Sequence, residues 1–296
     1  MAHLEFTFSA VVVLFDPPSN WADSLAHLTV PPTEILIVAN GHAAVDSSRS
    51  APSGAVLVEH PENGGVVAAY AESLARTKSE WLLFLDQDST PGVDYIERMR
   101  EVLDRFRSDT SNQTLSVGVI TSTIIEKHLG RSTARPNKAR AGDLQVRSPP
   151  QFINSGTLFS VEALRSVGGA WDRLFVDLVD GELAIRLHDA GFRELHAPKA
   201  QLFHELGKVS AHTLFGRQVH ATNHSPERRR SIARATFLIV RRHGLRKPGS
   251  RIVIRNALGN LVAMLLFERK RPRKMFAILS GACAGFREPL VTTSNP

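Results

Sequence analysis

Cysteine, tyrosine and tryptophan are nearly missing from this chain: of 296 residues, one is cysteine, two are tyrosine and three are tryptophan. A single thiol, Cys283, excludes an internal disulfide framework and a cysteine-rich zinc module, and it fits a reducing compartment. Long hydrophobic runs are missing too. No stretch reaches the roughly 18–20 apolar residues of a membrane span, and the best, LVAMLLF from Leu261, is far shorter. The opening MAHLEFTFSAVVVLFDPP has no cationic segment before its apolar run, which ends at Asp16-Pro17-Pro18. It reads as a first buried strand and not as a signal peptide. No internal repeat or low-complexity tract occurs, and a hydrophobic content of 43% is enough to fill a core.

Acidic residues are scarce in one region. Arg217 to Lys274 contains 16 Lys/Arg and 2 Asp/Glu, a balance of +14, whereas residues 1–216 balance at −7. An acidic body and a basic tail predict two parts with different partners, divided as 1–216 and 217–296. In the tail, Arg241, Arg242, Arg246, Lys247, Arg269, Lys270, Arg271, Arg273 and Lys274 flank apolar segments such as LVAMLLF and MFAIL. That pattern suits a membrane surface, and it equally suits a solvated positive surface over ordinary helix packing. Nucleic acid is not expected, because aromatic residues are not interleaved with the charge and no known motif occurs.

What the chain has is alternation. FSAVVVLF, EILIVAN, AVLVEH, WLLFLD and VGVITSTII read as strands. WADSLAHL, GGVVAAYAESLART and VDYIERMREVLDRF have helical spacing. Strand, helix, strand at these intervals predicts an α/β fold with a mostly parallel sheet, in which ligands bind beyond the carboxyl ends of the strands. Asp16, Asn40-Gly41, Asp86 and Asp88 fall at such ends. Residues 127–150 are polar, basic and broken by Gly and Pro, and read as a long surface loop. From Pro226 onward the pattern is helical and basic.

Four stretches carry candidate chemistry. In WLLFLDQDST, a buried strand ends in Asp86-Gln87-Asp88. Two hard oxygen ligands held by a strand suit Mg²⁺ or Mn²⁺ carrying a diphosphate. The plain alternative is a helix N-cap, since Asp88 or Ser89 precedes a helix expected to start near Pro91. FVDLVDGELAIRLHDAGF gathers Asp177, Asp180 and Glu182 ahead of a helix. There a carboxylate can act as a general base, or the acids can simply favour the helix dipole. QLFHELGK offers His204, a lone imidazole that could join a carboxylate-bound metal. QFINSGTLFS sets Asn154-Ser155-Gly156 in an apolar stretch, either as a plain bend or as a place where an acceptor approaches the backbone closely.

In this order the segments VVVLFDPP, ILIVANG, ENGGVVAAYAESL, WLLFLDQDS, INSGTLFS, FVDLVDGELAIRLHDAGF and HELG resemble a glycosyltransferase of family 2 with the GT-A fold. The resemblance is greatest to the bacterial rhamnosyltransferase-like branch and spans roughly residues 8–245. It implies an inverting transfer from a nucleotide sugar, dTDP-rhamnose first and UDP-hexoses next, to a glycan or polyprenyl-linked acceptor in cell-surface polysaccharide synthesis. It implies Asp86, Asp88 and His204 as ligands of Mg²⁺ or Mn²⁺ and Asp180 as general base. On the donor side it implies Phe15, Asn40, Asn63, Gly65, Asp86, Gln87, Arg229 and Arg234, the two arginines as a diphosphate clamp. On the acceptor side it implies Asn154, Ser155, Gly156, Asp177 and Glu182. Departures from the family pattern fall on the donor side: Phe15-Asp16 replaces a Tyr-Asn pair, Ala39 precedes Asn40 in place of Asp, Ala71 replaces a second asparagine, and a tyrosine pair before Arg234 is missing. The expected location is cytoplasmic, with the basic tail able to meet the inner face of the cell membrane. The alternatives are a metal-dependent nucleotidyltransferase, which would usually carry a glycine- and basic-rich loop where Phe15-Asp16-Pro17-Pro18 stands, and a catalytically silent binding relative.

Overall fold

The computed structural model describes residues 6–126, 131–132, 145–204, 209–214 and 216–290. They form two compact units, residues 1–171 with 186–205 and residues 172–185 with 206–296. The second unit thus includes 172–185, upstream of the boundary drawn from charge.

In the first unit, strands with continuous apolar runs occupy the middle of the sheet, as strands covered on both faces must. β1 (Phe8–Leu14) lies between β2 (Glu34–Asn40) and β4 (Trp81–Asp86) and is parallel to both. β3 (Val56–His60) extends the parallel set beyond β2. The helices between these strands are α1 (Asp23–Ala26), much shorter than its sequence pattern suggests, then α2 (His42–Ser48) and α3 (Gly65–Arg76). After β4 come a two-residue strand, β5 (Thr90–Pro91), and α4 (Tyr95–Ser108). α4 buries Tyr95, Ile96, Met99, Leu103 and Phe106 at helical spacing, and these side chains join Phe8, Val12, Leu14, Leu83 and Leu85 in the core.

The rest of the sheet is mixed. β6 (Ser116–Glu126) is followed by β7 (Arg131–Ser132), β8 (Gln145–Arg147) and β9 (Leu158–Ser160), and then by α5 (Val161–Ser166), α6 (Val179–Asp189) and β10 (Phe192–His204). The order is β3-β2-β1-β4-β9-β6-β10-β5, with β7 beside β6 and β8 beside β10. The long ladders are parallel, and the antiparallel ones span two or three residue pairs. Of the expected loop at 127–150, only β7, which pairs with β6, and residues 145–150, whose β8 pairs with β10, are described; residues 127–130 and 133–144 lie outside the described residues. β10 has no clean alternation in its sequence, and its register shifts between Ala197 and Gln201, around Pro198 and Lys199.

Gly156 turns the chain from the 151–155 segment into β9. Its φ is +73°, its N–H bonds to Phe84 O at 2.7 Å, and its carbonyl accepts from Tyr95 Oη. A Cβ there would lie 2.6 Å from both Leu202 and Tyr95 Oη.

In the second unit, β11 (Ser210–Leu214) and β12 (Arg217–Ala221) form a hairpin, followed by α7 (Pro226–His243), α8 (Pro248–Phe267) and α9 (Arg271–Arg287). Ser225 caps α7 by accepting the Arg228 N–H, and Pro226 opens the helix where no N–H is required. α9 meets α7 through Gly281 and Gly285, four residues apart. Side chains at these positions would collide with the carbonyls of Arg230 and Arg234. Glu268, fully buried after α8, accepts from Arg229 Nη2 (2.6 Å), Lys274 Nζ (2.7 Å) and the Asn223 N–H (2.8 Å).

One sequence expectation is corrected here. α8 is long and apolar enough to cross a membrane by length and composition, with a mean hydropathy of 1.3 over 18 residues, of which 22% are buried. Counting uninterrupted apolar residues misses it, because Arg255, Asn256 and Asn260 break the run while the average stays high.

Two stability outcomes follow. Gly156→Ala should destabilise the chain by about 2–4 kcal/mol, combining overpacking with a disfavoured φ, as read from urea unfolding. Glu268→Gln should cost about 3–5 kcal/mol in the same assay, because it leaves buried cations without their counter-charge.

Candidate active site

The site grows from the carboxyl end of β4. Asp86 pairs in register with Val13 of β1, so the strand fixes its backbone, and the Ser89 N–H closes a tight turn on the Asp86 carbonyl at 3.0 Å. β5 begins one residue later. It pairs antiparallel with Leu202 and Phe203, which stitches the end of β10 to the acidic loop and delivers His204. Ligand atoms of Asp86, Asp88 and His204 all lie within 4.8 Å of one another. Three residues from two distant segments are thus brought together as expected.

Two buried hydroxyls brace this arrangement. Ser155 Oγ accepts the Asp86 N–H at 2.9 Å and lies 2.7 Å from Ser89 Oγ. Ser89 Oγ in turn lies 2.8 Å from His204 Nδ1. Asp88 Oδ1 is 3.2 Å from the same nitrogen. The Ser155 hydroxyl is therefore turned toward the acidic loop. Asn154 Oδ1 accepts from Tyr70 Oη at 2.7 Å, and Gly156 acts through its backbone as described. Of the five residues predicted for the acceptor side, Asn154, Ser155 and Gly156 thus make internal contacts.

The electrostatics follow from crowding. Burial pushes Asp86 up to about 6; His204 lowers its pKa and Asp88 raises it. For His204, burial works against the charged ring, but the hydrogen bond and charge of Asp88 and the charges of Asp86 and Glu126 prevail, and its pKa is raised. Glu126, which the sequence reading passed over, is buried at the end of β6 and pairs in register with His204. An acid closing a strand was its only signal. Two carboxylates and an imidazole, converging and short of positive charge, form a donor set that fits a hard divalent cation.

The predicted donor-side residues surround the neighbouring strand ends. The Gln87 amide clamps the backbone of Phe15, accepting its N–H at 2.7 Å and donating to its carbonyl at 2.9 Å. Phe15 itself is 58% exposed, with its ring beside Gly41. Buried Asn40 accepts the Gly64 N–H at 2.9 Å, and Asn63 accepts the Gly65 N–H at 3.1 Å. These asparagines shape the turn into α3.

The remaining predicted residues belong to the second unit. Asp180 sits in the first turn of α6 and accepts the Gly181 N–H at 2.7 Å. Asp177 Oδ1 meets Arg228 Nε at 3.2 Å. Glu182, expected to orient an acceptor, is fully buried between His243 Nε2 (3.0 Å) and Arg242 Nη1 (3.4 Å), so it holds α6 to α7. Arg229 and Arg234, expected as a diphosphate clamp, are engaged internally. Arg229 bonds Glu268 and Thr222, and Arg234 bonds both carboxylate oxygens of Glu288 and the Arg173 carbonyl.

The sequence pattern of the family described as Glycosyl transferase family 2 matches residues 21–168, half of the chain. The chain belongs to this family. No curated protein sequence matches it. Among solved structures it is similar to TarS of S. aureus at 14% identity, with a TM-score of 0.54, covering 89% of this chain and 44% of that one. Residues 1–349 of TarS in complex with UDP-GlcNAc align at 15% identity with a TM-score of 0.55, covering 94% and 81%. The mannosyltransferase PcManGT of Pyrobaculum calidifontis, in complex with GDP-Man and Mn²⁺, aligns at 16% identity with a TM-score of 0.52, covering 94% and 75%. The family 2 chain thus spans under half the length of the longer TarS chain. It has the GT-A fold, a mixed, mostly parallel sheet flanked by helices.

Cation affinity should follow the protonation of Asp86 and His204. A cation competes with protons for both, so Mn²⁺ affinity measured by calorimetry should rise with pH through about 6, where Asp86 ionises, and go on rising above the ordinary histidine range as His204, whose pKa is raised, loses its proton. In Asp88→Asn the binding should fall by at least about tenfold at every pH. An affinity independent of pH would separate the cation from Asp86.

Proposed function

We propose that this family 2 glycosyltransferase moves a sugar from a nucleotide-sugar donor to a hydroxyl of a glycan or lipid-linked saccharide, with inversion at the anomeric carbon. The observation that carries the reading is the convergence of Asp86, Asp88 and His204 beyond the carboxyl ends of β4 and β10. These three would hold Mg²⁺ or Mn²⁺, and a bound cation supplies neutralisation of the charge developing on the departing diphosphate. The structures of TarS with UDP-GlcNAc and of PcManGT with GDP-Man and Mn²⁺ support a nucleotide sugar as the class of donor. The exposed ring of Phe15 offers a face on which a nucleobase can stack, and the Gln87 clamp on its backbone ties that face to the acidic loop. The segments LFLDQDS and FVDLVDGE, similar to the rhamnosyltransferase-like branch, favour dTDP-rhamnose, with UDP-hexoses next.

Asp180 is the proposed base. It takes the acceptor's proton while the hydroxyl oxygen bonds to the anomeric carbon and the nucleoside diphosphate leaves from the opposite face. One displacement gives inversion without a covalent intermediate.

A panel of dTDP-, UDP- and GDP-sugars with Mn²⁺ or Mg²⁺, assayed for binding and for nucleoside diphosphate release, tests the reading. Failure of every donor to bind in the presence of metal overturns it. Asp180→Asn should keep donor affinity within about twofold and lower transfer by about 10²–10⁴-fold. Unchanged turnover would remove Asp180 from the base role.

A further inference from the structure

The second unit exposes more apolar surface than a packed helical appendage requires. On α8, Leu258, Val262, Leu265 and Leu266 are exposed at i, i+4, i+7 and i+8, which is one helix face. The opposite face buries Val253, Ala263 and Met264, and the helix packs on α7 and β12. On α9, Phe276 is 75% exposed and Phe286 67%, with Leu279 between them on the same face. Ala277, Gly281 and Gly285 turn inward, the two glycines against α7. Isolated exposed leucines are ordinary, but apolar faces on two consecutive helices are not.

The corner between these helices is basic. Arg269, Lys270, Arg271 and Arg273 are all exposed. Glu268 is buried against Arg229 and Lys274, and exposed Glu227 faces the charge of Lys270, while Arg271 also donates to the Leu266 and Glu268 carbonyls.

We propose that these faces and the basic corner dock the chain on an anionic lipid bilayer, with the apolar side chains entering the acyl boundary and the corner meeting lipid phosphates. Lipid offers both partners at once, apolar depth and dense negative charge. A symmetric contact between two copies would bring each basic corner close to its own like charges. Nucleic acid would leave the phenylalanines and leucines without a role. Because one face of α8 is packed on the protein, and Arg251 and Arg255 are exposed at its amino-terminal end, the helix lies along the surface and does not cross it. The inference does not rest on the sugar-transfer reading, and its test contains no sugar.

Flotation of the full chain with vesicles of phosphatidylcholine alone, and of phosphatidylcholine with phosphatidylglycerol, decides the matter. Binding should be confined to the anionic vesicles and fall steeply as salt is raised. The double variant R271Q/R273Q should weaken it by roughly fivefold per residue. F276S/L279S should abolish most of what remains at moderate salt, with the circular dichroism melt unchanged because both side chains are exposed. Equal binding to neutral vesicles, insensitivity to salt or no binding to either overturns the proposal. So does a dimer in sedimentation that F276S/L279S disperses, since that would make the face a contact between copies. Should a variant fail to fold, the lipid and salt dependence of the unaltered chain still decides.

Discussion

The contact between the hydroxyls of Ser89 and Ser155 is the interaction on which the site depends. Both are buried, and each also holds a second partner, the Asp86 N–H for Ser155 and His204 Nδ1 for Ser89, so their contact joins two otherwise separate pairs. Through them the Asp86 N–H, the turn at Asn154-Ser155-Gly156 and the imidazole of His204 become one connected structure. The three segments are far apart in the chain, and each could otherwise move against the others. A cation-binding group needs its ligands held in advance, because loose carboxylates repel one another and turn toward water.

Charge is arranged oppositely in the two units. In the first, Asp86, Asp88 and Glu126 surround one imidazole; burial raises Asp86, and the neighbouring carboxylates raise His204 against its own burial. In the second, cations predominate, and the buried acids serve to hold helices together: Glu268 takes Arg229 and Lys274, and Glu182 takes Arg242 and His243.

Much of the fold is legible in the chain. FSAVVVL, EILIVAN and WLLFLD announce central parallel strands because burial on both faces demands unbroken apolar runs. YIERMREVLDRF announces α4 because one face alone is buried. β10 is not legible: its polar residues and the irregularity at Pro198 and Lys199 hide a strand that its neighbours make. β5 and β9 are too short to leave a pattern. Among site residues, the acids and His204 are legible from their chemistry. The supporting polar residues are less so. Gln87, Asn40, Asn63, Asn154 and Ser155 sit where ligand contacts are expected, yet their side chains satisfy backbone or buried groups first, since an unpaired N–H or carbonyl at a strand end must be met by something. Glu182, Arg229 and Arg234 read as functional charges, and in the structure each makes ion pairs within the second unit.

The sequence by itself determined the class of fold, the contrast between acidic body and basic tail, and the identity of the three groups suited to a cation. Those properties are local: apolar periodicity, residue chemistry and charge density need no distant partner. The tertiary structure alone decided that His204 reaches Asp86 and Asp88, because β5 and β6 pair with the end of β10 and bring it to the acidic loop. It alone decided which polar residues are braces and which apolar residues of α8 and α9 face outward. These depend on long-range pairing, and a chain read one segment at a time does not contain the partner.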